Sequence, residues 1–448
     1  MPGSLNSKPR LKRHLTEDLV LPTLLFAGLG GMTWAVRGSS GYGGAAGCLF
    51  AGVTWGAAWW FIARDPGAVQ SRRYASGWII LALAVGVGFS GNRGWMQWPA
   101  FFEGHLQTNY SKGEFIPISR TYGFLWLFIA GVPWAGIGAC LLAWCAAAPR
   151  LRLKDWVLRL AFAFAGAWLA RLLIGNFPQF FLPLYSSHAA QYADLQANPN
   201  LRRLINDSTA AITHLGFYLG CLGFEAVRRD AKNVTLILTV GLLNGLGWAG
   251  LQNWSWAKRL WPDAHFNFWR CWESSGGISI GIAYGIAYYL VNHPLSVPER
   301  ARYAPHLSNE CPNLERLGVY LGLVFGLGLS IKSGLKGWAN IYLGNENYWN
   351  GVLWKIIGPL LIAGTVLVVA RIRRRPLPRD YPGDVFPHAY RLIWLVLITQ
   401  NVLAQLVTGP WKVWNEAVFK IYYVLLFILS GVIVHHIHFL KRRQELSE

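Results

Sequence analysis

Apolar residues run along the chain in long blocks, not in the alternation of a strand or the one-sided stripe of a surface helix. Blocks begin near Leu19, Gly43, Gly77, Tyr122, Trp156, Ala210, Val234, Gly276, Leu317, Val352, Leu392 and Val418. Most reach the roughly 20 residues that a helix needs to cross hydrocarbon. The pattern predicts an all-α polytopic membrane protein of about twelve transmembrane helices. Polar or charged residues enter early in the blocks near Gly77, Trp156 and Gly276, which leaves the count open by about one.

Composition agrees with a bilayer as solvent. Of 448 residues, 53% are hydrophobic and 14% charged, where a soluble domain carries about a quarter charged residues. The net charge of +20 would suit nucleic acid in a soluble protein. Here the basic residues fall between apolar blocks, so no nucleic-acid partner is expected and membrane orientation accounts for them. Alternate connections carry Arg72-Arg73, Arg150 to Lys154, Arg228-Arg229, Arg300 and Arg302, Arg371 to Arg375, and Lys441 to Arg443. Together with the basic N-terminus (Lys8, Arg10, Lys12, Arg13) they predict a cell-membrane protein with both termini cytoplasmic. The first block follows that basic stretch, lacks a small-residue cleavage site and leads straight into another block, as a first span does. Cys48, Cys140, Cys145, Cys221, Cys271 and Cys311 have no zinc or redox spacing and read as ordinary cysteines.

A helix ending in glycines and passing into a polar, tryptophan-bearing segment recurs. The copies start at Gly28 (GLGGMTWAVRGSSGYGG), Gly86 (GVGFSGNRGWMQW), Gly245 (GLGWAGLQNWSW) and Gly326 (GLGLSIKSGLKGW). These read as hairpins of two parallel six-helix halves, residues 1–230 and 231–448. In that scheme the SSG sequences at Ser39 and Ser274 open the second and eighth helices, and a helix N-terminus with its unpaired N–H groups suits an anion. The outward connections Asn92 to Arg120 and Asn176 to Thr209 are long enough for interfacial helices or a lid.

The candidate chemistry gathers at the outward helix ends. Arg37, Arg93, Arg171, Lys258, Arg259, Arg270, Lys332, Lys336, Lys355 and Lys412 all lie where the positive-inside rule disfavours them. Ionisable groups at membrane depth are functional candidates, with snorkelling to lipid phosphate as the plainer account. Arg37, Arg93 and Lys332 each follow a glycine-rich run directly. With Ser39, Ser40, Trp95, Trp254, Ser274, Ser275, Lys336 and Trp338 they form the expected substrate-binding set, a basic and aromatic cavity. Interfacial anchoring explains many of the tryptophans, yet those from Trp254 to Trp272 exceed what one loop requires.

Two Trp-Pro turns place an acid two residues before a histidine: Glu103 with His105, and Asp263 with His265. With Glu273 they are the weak candidates for acid–base catalysis, and none has metal-ligand spacing. DPGAVQSRR from Asp65 resembles a degenerate form of the acidic and basic loop that major facilitator transporters carry between their second and third helices. It lacks that motif's glycine before the acid and its full spacing, and no residue role is carried over. His435, His436 and His438 read as interface anchors.

No nucleotide loop, dinucleotide fingerprint, nucleophile elbow or zinc-protease motif is present, and neither cofactor nor coupling ion is written in the residues. The helix cores read as nearly free of carboxylates. The leading expectation is a transport or binding protein for an organic anion or an anionic lipid-linked compound. A membrane-embedded transferase or hydrolase acting on a lipid-linked phosphate, and a structural subunit of a membrane complex, stand as alternatives.

Overall fold

The computed structural model describes residues 15–39, 44–66, 72–91, 97–147, 152–251, 254, 257, 260–296, 298–299, 312–377 and 385–447. Among them, 11 helices are long and apolar enough to cross a membrane, and a twelfth apolar helix, Ile79–Ser90, is shorter. Every apolar block of the sequence has thus become a helix. The long ones are α1 (Leu21–Ser39, after a π-helical turn at Thr16–Val20), α2 (Ala45–Ile62), α5 (Thr121–Trp144), α6 (Leu153–Asn176), α9 (Pro199–Val227) and α10 (Ala231–Gly250). They continue with α11 (Phe268–Val291), α12 (Pro312–Tyr342), α13 (Glu346–Arg374), α14 (Phe386–Leu406) and α15 (Trp414–Ser447). The short apolar helix is α3; α4 (Gln97–Phe102), α7 (Pro178–Phe181) and α8 (Ala189–Ala193) lie in the connections.

We call the end of the bundle where α1 starts and α15 finishes the basal face, and the opposite end the distal face. Tight antiparallel pairing builds the bundle. Gly30 of α1 faces the Gly277 backbone of α11, and Gly281 faces Phe26, so a side chain at either glycine would collide with the partner's main chain. Gly166 and Gly216 do the same between α6 and α9, and Gly131 and Gly245 let α5 and α10 approach closely, with little room for a side chain at either. Helices that share hydrocarbon with lipid gain little from apolar burial against each other, so small residues that bring backbones together supply the packing. The broad interfaces α1–α11 and α5–α10 join residues on either side of residue 230, and one continuous buried cluster draws on both sides of it. α13 lies at the rim against α12 and turns Ile356, Leu360, Ile362, Val366 and Leu367 outward.

The all-α polytopic architecture expected from the sequence is what the helices form, with one small addition: β1 (His105–Asn109) pairs antiparallel with β2 (Glu114–Pro117) within the first long connection. Gly113, at φ 70°, closes the turn in a conformation that other residues resist. This hairpin meets the second long connection, where Tyr110 N–H donates to Asn200 Oδ1 at 2.9 Å. Neither SSG sequence opens a helix. Ser39 ends α1, α2 starts only at Ala45, Ser40 lies outside the described residues, and Ser274 and Ser275 sit in the second turn of α11. Asn267 caps α11 instead, accepting from Arg270 N–H at 3.0 Å. Finally, the helices do hold carboxylates: Glu225, Glu273 and Glu315 are built into α9, α11 and α12, the first two fully buried.

A tryptophan-lined ion pair at the distal end of a half-length helix

The 12 residues of α3 rise about 18 Å at 1.5 Å each, short of the roughly 30 Å of a hydrocarbon core. The chain leads into the helix through a non-helical segment of bends and a turn. Residues 72–77 lead into α3 from the basal face, and Arg72, Arg73, Tyr74, Ala75 and Ser76 are buried. Non-helical backbone at that depth must find partners within the protein, and here it does. Asn292 accepts from Tyr74 N–H at 2.9 Å and donates to its carbonyl at 3.1 Å, and Trp59 Nε1 donates to the same carbonyl. Ala147 N–H donates to the Arg73 carbonyl at 2.9 Å, Arg64 donates to the Ala75 carbonyl, and Glu315 accepts from Gly77 N–H at 2.5 Å.

Charged side chains tie this segment to its surroundings. Arg73 makes a two-pronged pair with Asp230 at 2.9 and 2.5 Å, and Arg72 pairs with Asp65 at 3.2 Å. Lys441 of α15 also reaches Asp65, at 2.9 Å. Tyr74 OH donates to Asn233, whose amide donates to Glu225, which in turn accepts from Arg159 at 2.6 Å. Arg72 and Arg73 therefore tie this segment into the fold. Arg159 and Glu225 escaped the sequence reading, although a lone arginine or glutamate inside an apolar block was the available signal.

The distal end of α3 is built differently. Its cap, Gly91, offers a carbonyl that accepts from Arg37 Nη1 at 3.0 Å and from the Cys48 thiol at 2.9 Å. Arg37 Nη2 donates to Glu273 Oε1 at 3.3 Å, and the guanidinium lies 4.8 Å from the Trp34 ring centroid. Arg37 and Glu273 are 4% and 1% exposed, so both charges are removed from water. The glycines make this possible: a Cβ at Gly38 would strike the Glu273 side chain, and one at Gly91 would meet Cys48. Glu273 Oε2 has no hydrogen-bond partner among the described residues, nor has the buried indole N–H of Trp34.

A run of packed tryptophans begins at Trp34, beside the pair. Trp34 stacks on Trp55 at 5.8 Å and tilts against Trp248 at 6.2 Å. Trp248 meets Trp272 and Trp134 edge-on, each at 5.2 Å, and Trp134 continues to Trp98 and Trp126. Position in the sequence does not reveal this cluster, because its members come from helices far apart in the chain and only the antiparallel pairings bring them together.

The chain matches no protein-family model, no curated protein and no solved structure in the comparisons made.

The remaining site candidates fall into separate places. Lys332 donates to Asn350 of α13 and lies 4.6 Å from the Trp354 centroid, while Lys336 pairs with Glu346 at 2.5 Å. Ser274 donates to the Gly31 carbonyl at 3.0 Å and shares a bond with Tyr422 OH; Ser275 accepts from Trp254 Nε1 and donates to the Cys271 carbonyl. These hydroxyls lock α11 to its neighbours. Trp338 lines a cleft between α12 and α14. Glu103 and His105 are part-exposed with 4.0 Å between them, and His105 rests on Phe115. Asp263 and His265 are exposed on the connection before α11, with His265 on the wall of an aromatic cleft beside Trp261 and Trp414. Of the acid–base candidates, Glu273 alone sits in a buried charged site. Arg93 and Trp95 lie outside the described residues, as does Ser40. Among the described residues no group of three His, Cys, Asp or Glu could hold a metal ion.

Proposed function

We propose that the chain is a multi-pass membrane transport or binding protein of the cell membrane, with a cytoplasmic basal face and an outward distal face. Its ligand is an organic anion or an anionic lipid-linked compound, read by Arg37 at the distal end of α3. The observation that carries this reading is the buried Arg37–Glu273 pair on the Gly91 carbonyl of a half-length helix. Interrupted helices at membrane depth expose backbone groups to ligands, and a buried ionisable pair is costly to keep unless it is used. Charge supports it too: a ligand carboxylate or phosphate that competes with Glu273 for the guanidinium gains a two-pronged partner, and the tryptophans supply faces for its apolar or ring portion. Basic residues at the basal ends of the helices support the orientation.

No observation favours the transferase or hydrolase alternative, because Glu103 with His105 and Asp263 with His265 lie exposed on different connections. The test is uptake of labelled dicarboxylates, sugar phosphates and isoprenoid phosphates by proteoliposomes. Arg37→Gln is expected to abolish whichever uptake the wild-type protein shows, and Arg37→Lys to keep a part of it. Undiminished uptake by a folded Arg37→Gln protein would remove the site assignment.

A further inference from the structure

A second place in the molecule has the chemistry of a binding site, independent of Arg37. Where α12 ends distally, Trp338 and Tyr342 face Asn401, Gln405 and Lys420 across a cleft of about 380 Å³. Lys420 lies on α15, six residues after its first residue, which sets it about 9 Å along the axis from the helix start. Tryptophan and tyrosine mark the interface between headgroups and acyl chains, and Trp338, Tyr342 and Trp411 all stand at this level. The cleft is open at the side, through the exposed Val402 and Tyr342.

Lys420 is only 6% exposed. Its ammonium donates to the Gln405 carbonyl at 2.9 Å and lies 5.5 Å from the Trp411 centroid. Gln405 returns a bond to the Lys420 carbonyl at 3.0 Å, so the two residues hold each other in place. An ammonium has three donors, and the Gln405 carbonyl is its one acceptor among the described residues. The neighbouring acid is Glu416, one turn earlier on α15. Both of its oxygens are committed to Arg270, and Oε2 also accepts from Gly409 N–H at 2.7 Å. Among the described residues the positive charge of Lys420 is therefore left without a carboxylate of its own, beside the side opening of the cleft and next to an aromatic wall.

We propose that this cleft binds the phosphate headgroup of an anionic membrane phospholipid, with Lys420 as charge partner and an acyl chain laid along Val402. A bilayer presents phosphate at this depth, and attraction between a basic side chain and anionic lipid favours it over a zwitterionic one.

Native mass spectrometry of the full chain, in detergent with equal amounts of phosphatidylglycerol and phosphatidylcholine, tests the site. The wild-type protein is expected to keep one phosphatidylglycerol with about fivefold preference, and Lys420→Met to lose that preference. Val402→Trp, which leaves the cation in place and fills the cleft, is expected to lose the bound lipid as well and serves if Lys420→Met does not fold. Phosphatidylglycerol is expected to raise the thermal midpoint of the wild-type protein, and inorganic phosphate to leave it unchanged. Equal retention of the two lipids by the wild type, or an undiminished preference in either variant, overturns the proposal. Neither result bears on Arg37, whose test is uptake.

Discussion

The two ends of α3 solve the same problem in opposite ways. At the basal end a non-helical, buried segment has backbone groups of Arg73, Tyr74, Ala75 and Gly77 taken up by Asn292, Trp59, Ala147, Arg64 and Glu315, and its arginines by Asp65 and Asp230. At the distal end one carbonyl, one guanidinium and one carboxylate meet beside Trp34, the start of a run of packed tryptophans, and a carboxylate oxygen is left over. A segment paired from so many sides makes a lock, because most changes there strand a polar group, even though Arg64 Nε keeps no partner among the described residues. Spare bonding capacity makes a place where something else can bind. Unwound backbone alone is thus no mark of a site; what matters is whether the protein has already used the groups it exposes.

The largest effect is expected at the lock. Arg73→Ala removes the two-pronged pair with Asp230 and the bond from Arg73 Nε to the Ala147 carbonyl, leaving a carboxylate uncompensated. Thermal or denaturant unfolding in detergent should show a loss of about 3–5 kcal/mol. Glu273→Gln also takes the counter-charge from Arg37, but it keeps an oxygen for the guanidinium, which still has the Gly91 carbonyl and the Trp34 face, so it should cost less. Equal costs at the two ends would erase the distinction.

A smaller effect is expected from Asn292→Ala, which leaves the Tyr74 N–H unmatched and removes one of the two donors to the Tyr74 carbonyl. The loss should be about 1–3 kcal/mol, with faster amide exchange confined to residues 72–77. Faster exchange at Ser90 and Gly91 as well would mean that the ends of α3 are not independent.

The smallest effect is acid sensitivity of the basal face. Burial opposes the charge on Asp230, but Arg73 beside it outweighs that cost and holds the carboxyl below its usual range. Burial likewise opposes charge on Glu299, and bonds from Ser296 and Lys232 bring it down to about 2. A depressed folded value means stability that is complete above the unfolded value, about 4 for these groups, and lost as pH falls through the folded one. The unfolding midpoint should therefore hold from neutral pH to about 5 and then drop between about 4 and 2. Asp230→Asn should flatten part of that drop; an unchanged slope would show that Asp230 carries none of it.

Much of the helical plan was legible because the bilayer imposes it: each block of apolar residues became a helix, and the one shortened by Arg72, Arg73 and Ser76 became the half-length α3. Arg37 was legible for the same reason, as a charge directly after a glycine-rich apolar run. Its partner was only half legible. Glu273 stood out as an acid near the proposed region, but its distance to Arg37 depends on α1 and α11 approaching backbone to backbone at Gly30 and Gly277. The SSG sequences misled because glycine after serine is equally compatible with a helix start and with a second turn packed against a neighbour. Trp98, which preceded the first acid–histidine pair, proved to be part of the buried aromatic cluster.

Sequence by itself determined the number and placement of apolar segments, since backbone groups in hydrocarbon must be satisfied within a helix and length sets whether it can cross. It also determined where charge accumulates between those segments. Which charges meet was decided by tertiary structure. Arg37 and Glu273, like Arg73 and Asp230, are far apart in the chain, and an ion pair in a low-dielectric interior depends on distances of a few ångströms. Those distances exist only once the glycine-lined helices have closed on one another.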